Sequence, residues 1–125
     1  MKTIILSFVL FFTPSVPPNC EEIPQGMIES HFIGGNYNFY NVFKSKIIYP
    51  QRLKEENIFG SVYYELLIDT SGYIENIKII KSPHPLFSEE ITAKIKLTNG
   101  LWKPYYVDGK KSKYYIRETV YFELR

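Results

Sequence analysis

From Gly60 to Ser82 apolar and polar positions alternate in two runs, GSVYYELLI and YIENIKIIKS, joined by Asp69-Thr70-Ser71-Gly72. Both runs are rich in Val, Ile, Leu and Tyr, and Gly72 can supply a positive φ, so the stretch predicts a β-hairpin. In the first run Val62, Tyr64, Leu66 and Ile68 share a wholly apolar face, while Ser61, Tyr63, Glu65, Leu67 and Asp69 take the other. In the second run Ile74 is out of phase with Ile77 and Ile79, and a bulge near Glu75-Asn76 returns the three to one side. A lone hairpin is marginal in water, so its apolar face needs a cover.

Beyond Pro83-His84-Pro85 the period lengthens. From Leu86 to Thr98 the apolar stripe Phe87, Ile91, Ile95 and Thr98, with a neighbouring stripe of Leu86, Ala93 and Leu97, predicts a helix. Glu89 and Glu90 lie near its positive end, Lys94 and Lys96 near its negative end, and Asn99-Gly100 supplies the stop. Trp102 then reads as a plug over one end of the core, and Asp108-Gly109 as a turn. From Lys113 to Arg125 strict alternation returns: Tyr114, Ile116, Glu118, Val120, Phe122 and Leu124 on one face, Tyr115, Arg117, Thr119, Tyr121, Glu123 and Arg125 on the other. The predicted fold is α+β, an antiparallel three-stranded sheet of hairpin and C-terminal strand with a helix packed on one face.

Upstream, Asn36 can cap a short helix from Tyr37 to Lys46, with Phe39 or Tyr40, Phe43 and Ile47 on one side. Tyr49-Pro50 ends it, Pro50 opens a second short helix over Gln51 to Glu56, and Asn57 closes that turn in the left-handed region. Residues 21–35 show no steady period and read as an extended lead-in to a domain over 36–125. Residues 1–20, with Lys2 before the apolar run Ile4 to Phe12, suit an export signal; the run is too short to span a bilayer. Cys20, closing that leader, is a candidate for lipid modification, although Pro17-Pro18-Asn19 departs from the usual lead-in.

Composition narrows the chemistry. The 125 residues are 45% hydrophobic and 22% charged, which fits one globular domain, and 15 basic residues against 13 acidic give a net charge of only +2. No dense basic run supports nucleic-acid binding. The one cysteine forms no internal disulfide. His31 and His84 are isolated from other metal-ligating residues, and Glu55-Glu56 and Glu89-Glu90 point apart on helices. Neither a catalytic constellation nor a cofactor site is legible.

With these elements in place the chain resembles the C-terminal domain of the TonB family of energy transducers, over about Phe32 to Leu124. The carriers are Phe32-Ile33-Gly34-Gly35, Ile48-Tyr49-Pro50 with Arg52, Gly60-Ser61-Val62 leading to Ile68-Asp69 and Gly72, then Ile77, Ile79 and Ser82. Trp102-Lys103-Pro104, Gly109-Lys110 and Val120-Tyr121-Phe122-Glu123-Leu124 complete the set. The resemblance implies a non-enzymatic periplasmic module that grips the TonB box, an extended segment of an outer-membrane transporter, by strand addition to the last strand. It implies peptide contacts from Tyr115, Arg117, Thr119, Tyr121 and Glu123, with Tyr49, Pro50 and Arg52 near the entry, and inner-membrane motor proteins as further partners.

Two departures qualify this. The stretch from Cys20 to Ile48 reaches on the order of 100 Å at most, which speaks against motor coupling. Thr119 stands where relatives often carry proline, restoring one N–H to the strand. The alternative is an exported cell-envelope adaptor or structural module with the same fold and no transport role, and open strand edges also permit a strand-exchanged homodimer.

Overall fold

The computed structural model describes residues 20–124; the expected leader lies outside the described residues except for Cys20. The predicted hairpin forms one side of a four-stranded sheet in the order β1-β6-β2-β3. Strands β2 (Gly60–Ile68) and β3 (Ile74–Lys81) form the hairpin, and β6 (Tyr114–Phe122) pairs antiparallel with β2 through nine consecutive residue pairs, Gly60 with Phe122 to Ile68 with Tyr114. The sheet therefore has four strands, not three. The addition is β1 (Glu21–Glu22), which lies parallel to β6 with Glu21 opposite Tyr114 and Glu22 opposite Tyr115. Two residues are too few to show an alternation, so periodicity gave no sign of it. A separate two-stranded ribbon, β4 (Tyr105–Val107) and β5 (Lys110–Ser112), closes on Asp108 and Gly109, both at positive φ.

The hairpin turn is built from its own side chain. The Asp69 carboxylate accepts from the backbone N–H of Ser71 and of Tyr73 at 2.8 and 2.9 Å, replacing ladder bonds that the turn cannot make. Gly72 sits at φ +86°, and a Cβ there would lie 2.3 Å from the Trp102 carbonyl oxygen, so glycine is required by sterics as well as by φ. Beyond the turn, Glu75 has no cross-strand partner between the Ile68–Ile74 and Leu67–Asn76 pairs, which is the expected bulge. A second irregularity skips Ile80.

The covering helix is α3 (Pro85–Ile95), continued by one 3-10 turn to Thr98. The His84 Nδ1 accepts from the Leu86 N–H at 3.0 Å and caps it, with Pro85 in the first turn. Phe87, Ile91, Ile95 and Thr98 are buried as the stripe predicts, but Leu97 is 49% exposed and Ala93 faces solvent. The helix meets the core along a narrow seam; burying its three apolar side chains contributes roughly 5–9 kcal/mol before entropy. They pack on Val62, Tyr64, Leu66 and Ile68 of β2 and Tyr114, Ile116 and Phe122 of β6 within one core.

The N-terminal third departs most from expectation. The lead-in folds into two 3-10 turns, Gln25–Met27 and Glu29–His31, and Ile23, Ile28 and Phe32 are core residues. Helix α1 (Gly35–Val42) starts earlier and ends sooner than the predicted Tyr37–Lys46. Its N-cap is Gly34 rather than Asn36, and Lys44–Lys46 form a separate 3-10 turn. Phe39, not Tyr40, faces inward, meeting Phe32 and Trp102 edge-on at 5.2 and 5.8 Å. Trp102 is buried, its Nε1 donating to Thr98 Oγ1 at 3.1 Å, as a plug at that end of the core. Helix α2 (Gln51–Glu55) is one residue shorter than expected, and Asn57 closes it at φ +58°.

Candidate functional site

A strand at a border of a sheet turns every second peptide group outward. On β6 the outward residues are fixed by two contacts: the Ile23 N–H donates to the Tyr115 carbonyl at 2.9 Å, and the Gln25 Nε2 donates to the Arg117 carbonyl at 3.4 Å. Alternation then turns the N–H and C=O of Thr119 and Tyr121 the same way, where no backbone of the described residues pairs with them. The first half of this border is occupied by the protein's own N-terminal segment and the second half is open. The expected strand addition to the last strand is thereby confined to part of its border. The strand itself is Tyr114–Phe122; Lys113 and Glu123 flank it and Arg125 lies outside the described residues.

Beside the open half runs a groove of about 510 Å³. Tyr40, Lys44, Ile47 and Tyr49 line it together with Thr119 and Tyr121 of β6. Tyr49 is held rigidly. Its hydroxyl donates to the Ile58 carbonyl, and its ring meets Phe87 and Phe122 edge-on at 5.6 and 5.5 Å. Lys44 is placed by an ion pair with Glu118 at 3.3 Å. Glu118 also accepts from the Tyr64 hydroxyl, and burial, then the nearby Glu118 charge, pushes the Tyr64 phenol well above its ordinary range. Of the lining residues, Lys44 is thus held by an ion pair and Tyr49 by aromatic packing, while Tyr40 and Tyr121, 58% and 69% exposed, stand open to solvent.

The expected site residues separate into groups. Thr119, Tyr121, Glu123 and Tyr49 come together along the groove. Tyr115 and Arg117 do not join them: the Arg117 guanidinium lies over the Tyr115 ring at 5.0 Å and donates to Glu65 at 2.9 Å on the sheet's helix-free face. That bond to the 3% exposed Glu65 raises the Arg117 pKa. Pro50 lies in a neighbouring cleft with Ile48, Leu86 and Glu90, and Arg52 is solvent-exposed and paired with Glu56 at 3.3 Å. Cys20 is half-buried, its thiol pushed up chiefly by that burial.

The sequence alone does not mark Tyr40, Lys44 and Ile47 as binding residues, nor Ile23 and Gln25. The readable signal was present in the large apolar residues of the lead-in, of which Ile23, Ile28 and Phe32 are buried while Met27 and Ile33 are exposed.

Among the described residues no cluster of three or more His, Cys, Asp or Glu is arranged to hold a metal ion, and no helix is long and apolar enough to cross a membrane. His84 is the helix cap described above. His31 packs against Tyr105 and Tyr114 at 5.9 and 5.5 Å.

The family described as Gram-negative bacterial TonB protein C-terminal matches residues 45–124. Two solution structures of the Helicobacter pylori TonB C-terminal domain resemble this fold. The longer has a TM-score of 0.57 at 19% identity, covering 84% of this chain and 98% of that one. The shorter has 0.55 at 20%, covering 71% and 92%. At such identities the likeness concerns the fold alone. No curated protein matches the chain.

Proposed function

Since the chain belongs to the family of C-terminal domains of Gram-negative bacterial TonB proteins, we propose that it recognises the TonB box of an outer-membrane transporter by strand addition and so serves energised transport. Members of the family are non-enzymatic protein-interaction modules of the periplasm. The observation that carries the finer reading is the open half of β6, where the outward peptide groups of Thr119 and Tyr121 border the groove of about 510 Å³.

Magnitude shapes the reading. Four outward main-chain groups at about 1 kcal/mol each give roughly 4 kcal/mol, a millimolar affinity if nothing else contributed. Recognition at this edge therefore draws the rest from apolar contact with Tyr40, Ile47 and Tyr121, or from tethering that raises local concentration. Export and a lipid on Cys20 belong to the same reading, and the mass of the mature protein tests both.

The deciding experiment is titration of the isotope-labelled protein with synthetic TonB-box peptides, followed by backbone amide NMR. Strand addition shifts Thr119 and Tyr121 together with Tyr40. No shift at millimolar peptide, or shifts confined to β3, would overturn it and favour an envelope adaptor with the same fold. A concentration-dependent change in the same amides without peptide would identify a second copy of the chain as the occupant instead.

A further inference from the structure

The border of β6 is interrupted at a definite point. Glu21 and Glu22 pair with Tyr114 and Tyr115, the Ile23 N–H takes the Tyr115 carbonyl, and the Gln25 side chain takes the Arg117 carbonyl. Pro24, lacking an N–H, then turns the chain off the sheet, and the Met27 N–H closes that turn on the Pro24 carbonyl at 2.8 Å. On either side of the turn Ile23 and Ile28 are sunk in the core, 2% and 1% exposed. The segment is pinned at both ends of the bend.

We propose that Ile23, Pro24 and Gln25 form a fixed stop that sets the register of a visiting strand, confining it to Thr119 and Tyr121. The inference rests on the strand-addition reading above. A visitor that displaced β1 would gain at Tyr115 only bonds that β1 already makes, and β1 makes them within one molecule, at high effective concentration. Displacement would also draw Ile23 out of the core, exposing apolar surface with nothing to replace it. Past Arg117 neither obstacle exists. A visiting segment therefore abuts the Pro24 turn, needs on the order of four extended residues, and presents alternate side chains to the groove of Tyr40, Lys44 and Ile47. Ile23 and Gln25 act through where the visitor lies and not by holding it, so they are positioning residues.

The test compares wild type with Ile23→Pro, which removes both the N–H and the anchor, and with Gln25→Ala, which alters an exposed side chain and leaves the core intact. The probe is a synthetic TonB-box peptide longer than the open stretch. In wild type the expected amide shifts stop short of Tyr115. In Ile23→Pro they spread to Tyr115 and Arg117, and affinity tightens about thirtyfold from roughly two added main-chain bonds. In Gln25→Ala they spread only to the Arg117–Glu118 peptide group.

A wild-type footprint that already includes Tyr115, or one unchanged in both variants, overturns the stop and leaves strand addition standing. A peptide that perturbs neither Thr119 nor Tyr121 in any chain overturns strand addition and the stop with it. Without peptide, slow hydrogen exchange at the Ile23 amide supports a closed border; exchange there as fast as at Tyr121 overturns it.

Discussion

The two borders of the sheet are guarded in different ways. Along β3 the register shifts twice, skipping Glu75 and Ile80, and the strand carries Lys78 and Lys81; a bulged, charged border offers a poor template for another strand. Along β6 the pairing with β2 runs without a shift, which leaves a straight border that would template well. Here the protection is a piece of the same chain, and it stops halfway. Irregularity closes one side permanently, whereas an occupant closes the other only as far as it reaches. A regular strand left partly uncovered is where recognition by backbone can take place.

The sharpest way to break this contrast is to weaken the occupant. Ile23→Ala, at a side chain 2% exposed, is expected to cost about 2–4 kcal/mol in urea unfolding. A cost below about 0.5 kcal/mol would mean that the segment is not anchored.

The second test uses alkaline pH. Burial raises the Tyr64 and Tyr114 phenols above their ordinary value, with Glu118 adding to the effect at Tyr64. For a raised pKa the native state holds the proton more tightly, so the stability is complete below about pH 10, the unfolded value, and falls as pH rises beyond it. Thermal melts should be flat from pH ~7 to ~9 and drop above ~10, with a shallower drop in Tyr64→Phe. A fall unaffected by that variant would show that the Tyr64 hydroxyl does not bond Glu118, the partner of Lys44, as described.

A third test separates fold from docking. Thr119→Pro removes an outward N–H while sparing the bonds to β2, so stability should change by less than about 1 kcal/mol and peptide affinity should weaken by about fivefold. Unfolding of this variant would show that the Thr119 N–H is used within the protein. The smallest effect is expected on the other border: Ile80→Ala, at a residue 39% exposed and outside the ladder, should stay within about 0.5 kcal/mol and leave peptide binding unchanged.

Much of this was legible in the sequence where the period was long enough to speak. Four alternating positions from Val62 to Ile68, the out-of-phase Ile74 and the Phe87-Ile91-Ile95-Thr98 stripe each predicted a face, and each is where the structure buries it or bends the strand. The parallel pairing of Glu21 and Glu22 was not legible, because two exposed residues carry no period and a parallel partner 93 positions away leaves no local turn. The start of α1 departs from its sequence pattern for a different reason. Asn36 is a good cap by type, but Gly34 at φ +93° already turns the chain, and the Asn38 amide donates back to the Ile33 carbonyl at 2.7 Å. The groove joins residues from a helix, a 3-10 turn, the connection after it and a strand, and only three-dimensional packing shows that Tyr40 and Tyr121 share it.

The seat of Gly72 against the Trp102 carbonyl has a consequence for how the molecule breathes. Main chain meets main chain there with no side chain between to give way, so the hairpin tip and the exit from the covering helix are geared together. A protease attacking near Asn99 would have to wait for the tip near Thr70 to lift as well, and the two sites should become cleavable in the same opening event.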